Sequence, residues 1–306
     1  MTWLDDAIAK LIELRGDSDG WGYRPKSDPY VEPTVLCNLA LLAASDDFDQ
    51  PKMLKLAQRS ADWLAAIQLR DGAVGPSEAL SVPSWPTPYA LLLWTICDEL
   101  ASRSDYVGQR RAAADYLLKF RGRPISRGSV IAHDGTIPGW PWAPECHPWV
   151  EPTVVAILAL DKAGQGDSNR LVDGRRLLRD RALPSGGWNY GNTVVLDIEL
   201  RPQPGPTGWA LLGLVGDDPA SRPVWLGLEY LKRTLPMRAA LSLGLSILAM
   251  SAWKQRPDAA SAWLADAAPD SFKRSDVAFQ LGFLLLAAGA DKALELLGLR
   301  AKGGKS

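Results

Sequence analysis

Cysteine and histidine are scarce in this chain: three of the first and two of the second among 306 residues. Cys37, Cys97 and Cys146 show no paired spacing, which argues against a disulfide framework and for a reducing compartment. With only His133 and His147 available, any histidine-based triad has to be built in the irregular stretch that holds both. Cys146 and His147 are adjacent, a poor chelating geometry even with His133 added, so neither a metal nor a cofactor is expected. Residues 16–21 carry carboxylates but not the ordered ligand series of a calcium loop. A Gly-rich phosphate loop and a serine-centred nucleophile motif are both missing. So is any excess of charge: 34 Lys and Arg stand against 35 Asp and Glu, leaving no field to attract nucleic acid or an anionic membrane. The apolar helices break off well short of a membrane span. The opening residues Thr2 to Asp6 are acidic at the end, where a signal peptide would start basic. The expectation is a cytoplasmic protein with no nucleic-acid partner and no transmembrane segment.

Tryptophan, by contrast, is abundant, with 13 residues. Several recur at fixed places in a repeat. The phrase Val31-Glu-Pro-Thr-Val returns as Val150-Glu-Pro-Thr-Val, and two worn copies read Trp85-Pro-Thr-Pro-Tyr and Gly205-Pro-Thr-Gly-Trp. Their Pro-Thr pairs begin at Pro33, Pro86, Pro152 and Pro206, so every second copy falls 119 and then 120 residues on. This is a helix-pair repeat inside a longer duplication. Each copy has an aromatic-glycine turn, as in Gly20-Trp21-Gly22, Gly139-Trp140 and Gly187-Trp188, with a weaker form at 72–75. A loop follows, then proline in the first turn of a helix, where its missing N–H costs nothing. These helices are apolar on nearly all sides, the mark of a buried helix. Between them run amphipathic segments such as 52–69 and 109–120, which read as an outer layer. Tryptophan in the intervening turns buries a large area but needs a partner for its indole N–H, so it can staple one helix pair to the next.

The inner helices are expected at about 33–44, 87–100, 153–163, 207–215, 239–253 and 276–289. Outer ones are expected at about 3–14, 52–69, 105–120, 171–182, 224–234, 259–267 and 291–299. Residues 194–201 alternate like a strand and read as an extended loop or short hairpin arm. The longest irregular stretch covers 121–148. Residues 1–300 then form one all-α domain, a two-layer ring of about six inner and six outer helices, and 301–306 a disordered tail.

The Gln68 to Gly72 and Gly187-Trp188 turns, with the Pro-Thr-x-x-Ala-Leu-Leu-Gly-Leu helices, resemble the terpenoid cyclase and protein prenyltransferase superfamily. The resemblance is clear over roughly residues 1–215 and holds by pattern beyond them. It implies an α/α-toroid whose inner helices line a central cavity. Squalene-type cyclases place an Asp-x-Asp-Asp-Thr-Ala motif at the mouth of an inner helix and protonate substrate from its middle Asp. Alignment on the threonine puts Glu32 and Glu151 there, with Pro33 and Pro152 in place of the last Asp and Tyr30 and Trp149 in place of the first. The zinc ligands of prenyltransferase β subunits, an Asp-x-Cys pair and a later His, are absent.

Glu32 and Glu151 are therefore the catalytic candidates, as a general acid whose carboxyl burial brings towards neutrality. The competing role is structural, accepting hydrogen bonds at a helix N-terminus. Glu151 is favoured as the acid because Trp140, Trp142 and Trp149 crowd its loop and should exclude water. Tyr30, Trp85, Trp140, Trp142, Trp149, Trp188, Tyr190 and Trp209 are the candidate substrate-binding aromatics, whose ring faces could stabilise carbocations. The implied function is a divergent terpene-cyclase-like enzyme acting on an isoprenoid-like hydrophobic molecule. The alternative is a non-catalytic toroid that binds a hydrophobic small molecule or a partner protein, or assembles as a homo-oligomer. A glycoside-processing ring would need two carboxylates flanking a cleft. Glu32 and Glu151 would then face one another across a two-fold axis, and the width of the ring is expected to hold them too far apart.

Overall fold

A computed structural model describes residues 2–46, 49–126, 131–237 and 239–299. The expected tail, 301–306, lies outside the described residues. The chain is helical almost throughout, in an order that alternates outside and inside. The inner helices are α2 (Val31–Ala44), α4 (Thr87–Ala101), α6 (Val150–Leu160), α8 (Pro204–Gly213), α10 (Ala240–Ala252) and α12 (Val277–Ala288). Each packs on the next, and α12 returns to α2, so the six close a ring. Around it stand α1 (Trp3–Arg15), α3 (Gln50–Ala66), α5 (Val107–Lys119), α7 (Asn169–Asp180), α9 (Arg222–Thr234) and α11 (Ala260–Ser271). A short α13 (Ala290–Leu296) follows α12 after a bend of 98° and packs on α2, α10 and α12. This is the α/α-toroid that the repeat implied. No single described helix is long and apolar enough to cross a membrane.

Helix signals in the sequence act locally. Thr2 and Asp5 form a capping box at the start of α1, and Ser168 accepts the Arg170 N–H at the start of α7. Residues 31–43 of α2 are all buried, as its all-round apolar sequence requires. Residues 194–199 form a two-stranded antiparallel arm, Val194–Val195 paired with Ile198–Glu199.

The repeated Gly-Trp turn and the repeated Thr are two halves of one device. The Thr34 hydroxyl accepts the Trp21 N–H at 2.9 Å and donates to the Trp21 carbonyl at 3.1 Å. Thr153 does the same to Trp140, Thr207 to Trp188 and Thr87 to Val74. Each tryptophan in turn donates its indole N–H to a carbonyl of the preceding outer helix: Trp21 to Leu11, Trp140 to Leu117 and Trp188 to Leu178, at 2.7–3.0 Å. One residue thus ties an outer helix to the start of the next inner one. Glycine precedes it because there is no room for more. A Cβ on Gly20 would lie 2.2 Å from the Thr34 hydroxyl oxygen, and one on Gly139 would lie 2.9 Å from that of Thr153.

Candidate carboxylate site at the ring mouth

Glu32 and Glu151 sit in the first turns of α2 and α6, in matching positions of the repeat. The Val31 N–H is taken by the Pro76 carbonyl and the Val150 N–H by that of Tyr190, so neither glutamate is needed to cap its own helix there. With six inner helices, α2 and α6 are two places apart, separated only by α4. The duplication thus relates the two carboxylates by a third of a turn, not the half turn expected from the sequence. The Glu32 charge adds to the rise in the pKa of Glu151.

The two carboxyls have unequal surroundings. Tyr23, on the loop before α2, donates its hydroxyl to Glu32 Oε2, and Tyr89, on the intervening α4, donates to Glu32 Oε1 at 3.4 Å. Glu151 has no hydrogen bond or ion pair among the described residues. Desolvation raises the pKa of both; the two tyrosines draw Glu32 back down, while the Glu32 charge drives Glu151 further up. The hydrogen-bond donors favour the charged form of Glu32, and the neighbouring charge favours the neutral form of Glu151. Glu32 is only 8 % exposed and Glu151 is the more accessible of the two. Desolvation, then the Glu32 charge, raises the pKa of Glu151, which has no donor to draw it back down.

Aromatic rings continue round the mouth. Tyr30 packs on Tyr23 at 5.2 Å, Tyr23 on Phe279 at 5.8 Å, Phe279 on Phe283 at 5.1 Å, and Phe283 on Trp209 at 6.3 Å. On the other side Trp142 meets Trp85 at 4.8 Å, and Trp85 meets Tyr89 at 5.9 Å. Trp149 lies against His147 at 4.4 Å, and Tyr190 is exposed at the foot of the hairpin arm. Trp140 and Trp188, grouped on sequence with the substrate-binding aromatics, are buried, with their indoles bound to helix carbonyls. These two hold the frame and face no ligand.

Tyr23, Tyr89 and Phe279 were not singled out from the sequence. A signal for Tyr89 existed. It stands two places after the repeat threonine, where α2 has Leu36, α6 has Val155 and α8 has Trp209, so an aromatic hydroxyl there breaks an apolar pattern. Tyr23 lies just past the Gly-Trp turn, and only the folded loop brings it to Glu32.

His133 is buried in the 121–148 segment, with Nδ1 3.4 Å from the Thr193 hydroxyl and Nε2 without a partner. Burial, then the Arg181 charge, pushes it down to about 4, so it is neutral. No group of three or more His, Cys, Asp or Glu among the described residues is placed to hold a metal ion. Cys37 and Cys97 are buried and Cys146 is exposed, all three as free thiols.

No protein-family model matches the chain, and no curated protein sequence does. Solved structures do. A wild-type glycosidase shares 13 % identity at a TM-score of 0.60, covering 97 % of this chain and 96 % of its own. A variant described as a glycosidase in complex with glucose gives 12 % and 0.59 over the same shares. A protein from Actinoplanes gives 17 % and 0.56, covering 97 % of this chain and 98 % of its own. A Salmonella alpha-2-macroglobulin reacted with methylamine gives 12 % and 0.52, covering 94 % of this chain but 17 % of its own. At these identities the likeness is one of fold.

Proposed function

We propose that the protein is an α/α-toroid glycoside hydrolase whose general acid is Glu151 and whose second carboxylate is Glu32. One observation carries the reading: two carboxyls at matching places of the repeat have opposite hydrogen-bonding environments, Glu32 held by two tyrosine donors and Glu151 by none. Such a division assigns acid and base roles to a pair of identical side chains. In the reaction the Glu151 proton passes to the glycosidic oxygen as its bond to the anomeric carbon breaks. Glu32, held by Tyr23 and Tyr89, stabilises the positive charge that develops on the sugar ring. A water oxygen then bonds to the anomeric carbon, and its proton passes to Glu32 acting as base or, where Glu32 has formed a glycosyl ester, to Glu151 as that ester bond breaks. Which anomer is released distinguishes Glu32 as a base acting on that water from Glu32 as a nucleophile. The glycosidase names of the fold neighbours support this reading, and half-buried aromatic rings suit the apolar faces of sugars.

The second reading keeps the site and changes the substrate: Glu151 protonates an isoprenoid alkene and the aromatic belt stabilises the cation. The belt from Tyr30 to Trp209 favours it. It ranks lower because an alkene needs a strong acid, whereas a desolvated carboxyl beside a carboxylate is a weak one. Such an acid is matched to a glycosidic oxygen near neutral pH.

The deciding experiment incubates wild type, Glu32→Gln and Glu151→Gln with aryl glycosides and neutral oligosaccharides, and separately with squalene and prenyl diphosphates. Release of sugar by wild type, lost in both variants while the fold persists, is expected. Turnover confined to the isoprenoids establishes the second reading, and full activity in Glu151→Gln removes both.

A further inference from the structure

At the N-terminal end of α2 lies a groove of about 610 Å³. One wall is Asp28, Pro29 and Tyr30, the other is the 77–80 turn with Glu78, and Trp63 at the mouth end of α3 forms part of the lining. Both walls are linked through the chain to residues that touch Glu32. Tyr30 is the residue before α2, two places from Glu32, and its ring packs on Tyr23, which holds Glu32. From the turn the chain continues to Trp85, in ring contact with Tyr89. The turn is tied down by the Val31 N–H on the Pro76 carbonyl and by the Ser77–Leu80 bridge. Tyr30 and Tyr23 thus link the groove wall to Glu32.

Its chemistry is specific. Trp63 and Tyr30 are half-buried, each presenting part of a ring while the rest is held by packing. Asp28 and Glu78 are exposed and carry no ion pair among the described residues. Flat apolar faces flanked by acceptor-only carboxylates fit a sugar ring, which offers C–H groups on its face and hydroxyl donors round its edge. The same two charges, with Glu32 behind them, repel a chain that carries a carboxylate on every unit.

We infer that this groove is an outer sugar subsite, so that the substrate is a neutral glycan of three or more units, to the exclusion of uronic acid chains. The inference rests on the glycoside reading above for the chemistry at Glu32 and Glu151, but not for binding in the groove.

The test separates the two. Binding of cello-, malto- and chito-oligosaccharides of two to six units, and of oligogalacturonides of equal length, is measured by calorimetry on Glu151→Gln, with and without Trp63→Ala. At least one neutral series should bind about tenfold more tightly beyond the disaccharide, a gain of ~1.4 kcal/mol that Trp63→Ala abolishes. Because Trp63 also packs on the core, a second variant guards against misfolding: Asp28→Lys with Glu78→Lys should admit the oligogalacturonides. Sugar release with no effect of either variant on chain-length dependence overturns the subsite and leaves the catalytic reading. Trp63-dependent binding of neutral chains with no turnover of any glycoside does the reverse. Equal binding of oligogalacturonides and neutral chains by the parent protein also overturns the subsite, and absence of all binding and turnover overturns both.

Discussion

At the scale of single residues, the proposed site rests on the difference between two glutamates. Glu151→Gln keeps the size of the side chain but gives up no proton, and kcat is expected to fall by about 10²–10⁴, read against an aryl glycoside. A poorer leaving group should suffer more than a good one, since the good one needs no acid. Tyr23→Phe removes a donor that lowers the pKa of Glu32. The acidic limb of the kcat/KM profile should then move up by roughly one unit. An unmoved limb would detach Tyr23 from the chemistry. Stability carries the same signature. Both carboxyls are raised in the folded state, so as pH climbs from their ordinary range the unfolded chain sheds protons that the native one keeps. Their contribution is full in acid and is lost as pH rises to neutrality and just above it. Compared with the Glu32→Gln, Glu151→Gln double variant, wild-type Tm should decline across that window. His133 acts in the opposite sense: held down to about 4, it costs stability as pH falls from 6.5. The comparison with the double variant removes its effect, because His133 is present in both.

At the scale of elements, the staple was half legible. The recurring Gly-Trp turn and Pro-Thr helix start stood out in the sequence, and a joining role for tryptophan followed from its need for an indole partner. That the threonine grips the tryptophan backbone was not legible. The two lie 13 residues apart in three copies and 19 in the fourth, a separation no local rule connects. Thr153→Val should leave the buried Trp140 backbone groups without their partner and cost about 1–3 kcal/mol in urea unfolding, with no change in catalytic pH profile. A loss below half a kilocalorie would show the staple to be redundant. The hairpin arm was also legible, from alternation over a few residues. The assignment of Trp140 and Trp188 to a ligand surface erred because position in a repeat does not say which side of the turn a ring points to.

At the scale of the whole molecule, closure depends on how closely inner helices approach. A Cβ on Gly244 of α10 would lie 2.5 Å from the Phe283 carbonyl oxygen of α12, and one on Gly289 would lie 2.3 Å from that of Ala43 on α2. Gly244→Ala is therefore expected to destabilise by about 1–3 kcal/mol through overpacking. Gly108→Ala on α5, where nothing lies within 4 Å of the added carbon, should be neutral or stabilise by roughly 0.5–1 kcal/mol. Equal effects at the two positions would mean that the ring tolerates slack.

The sequence alone determined the layers and their order, because periodicity, capping and the proline starts act within one turn of helix. It also nominated Glu32 and Glu151, because the repeat placed the same carboxyl at the same helix position twice. Only the tertiary structure decided how many places round the ring separate these two. Two of the six inner helices carry no trace of the signature, so the repeat looked two-fold, and the angle between the carboxylates depends on the full count. The unequal surroundings of the two carboxyls were decided the same way. They follow from Tyr23 and Tyr89, which belong to a different loop and a different helix from Glu151 and reach Glu32 only when the ring closes.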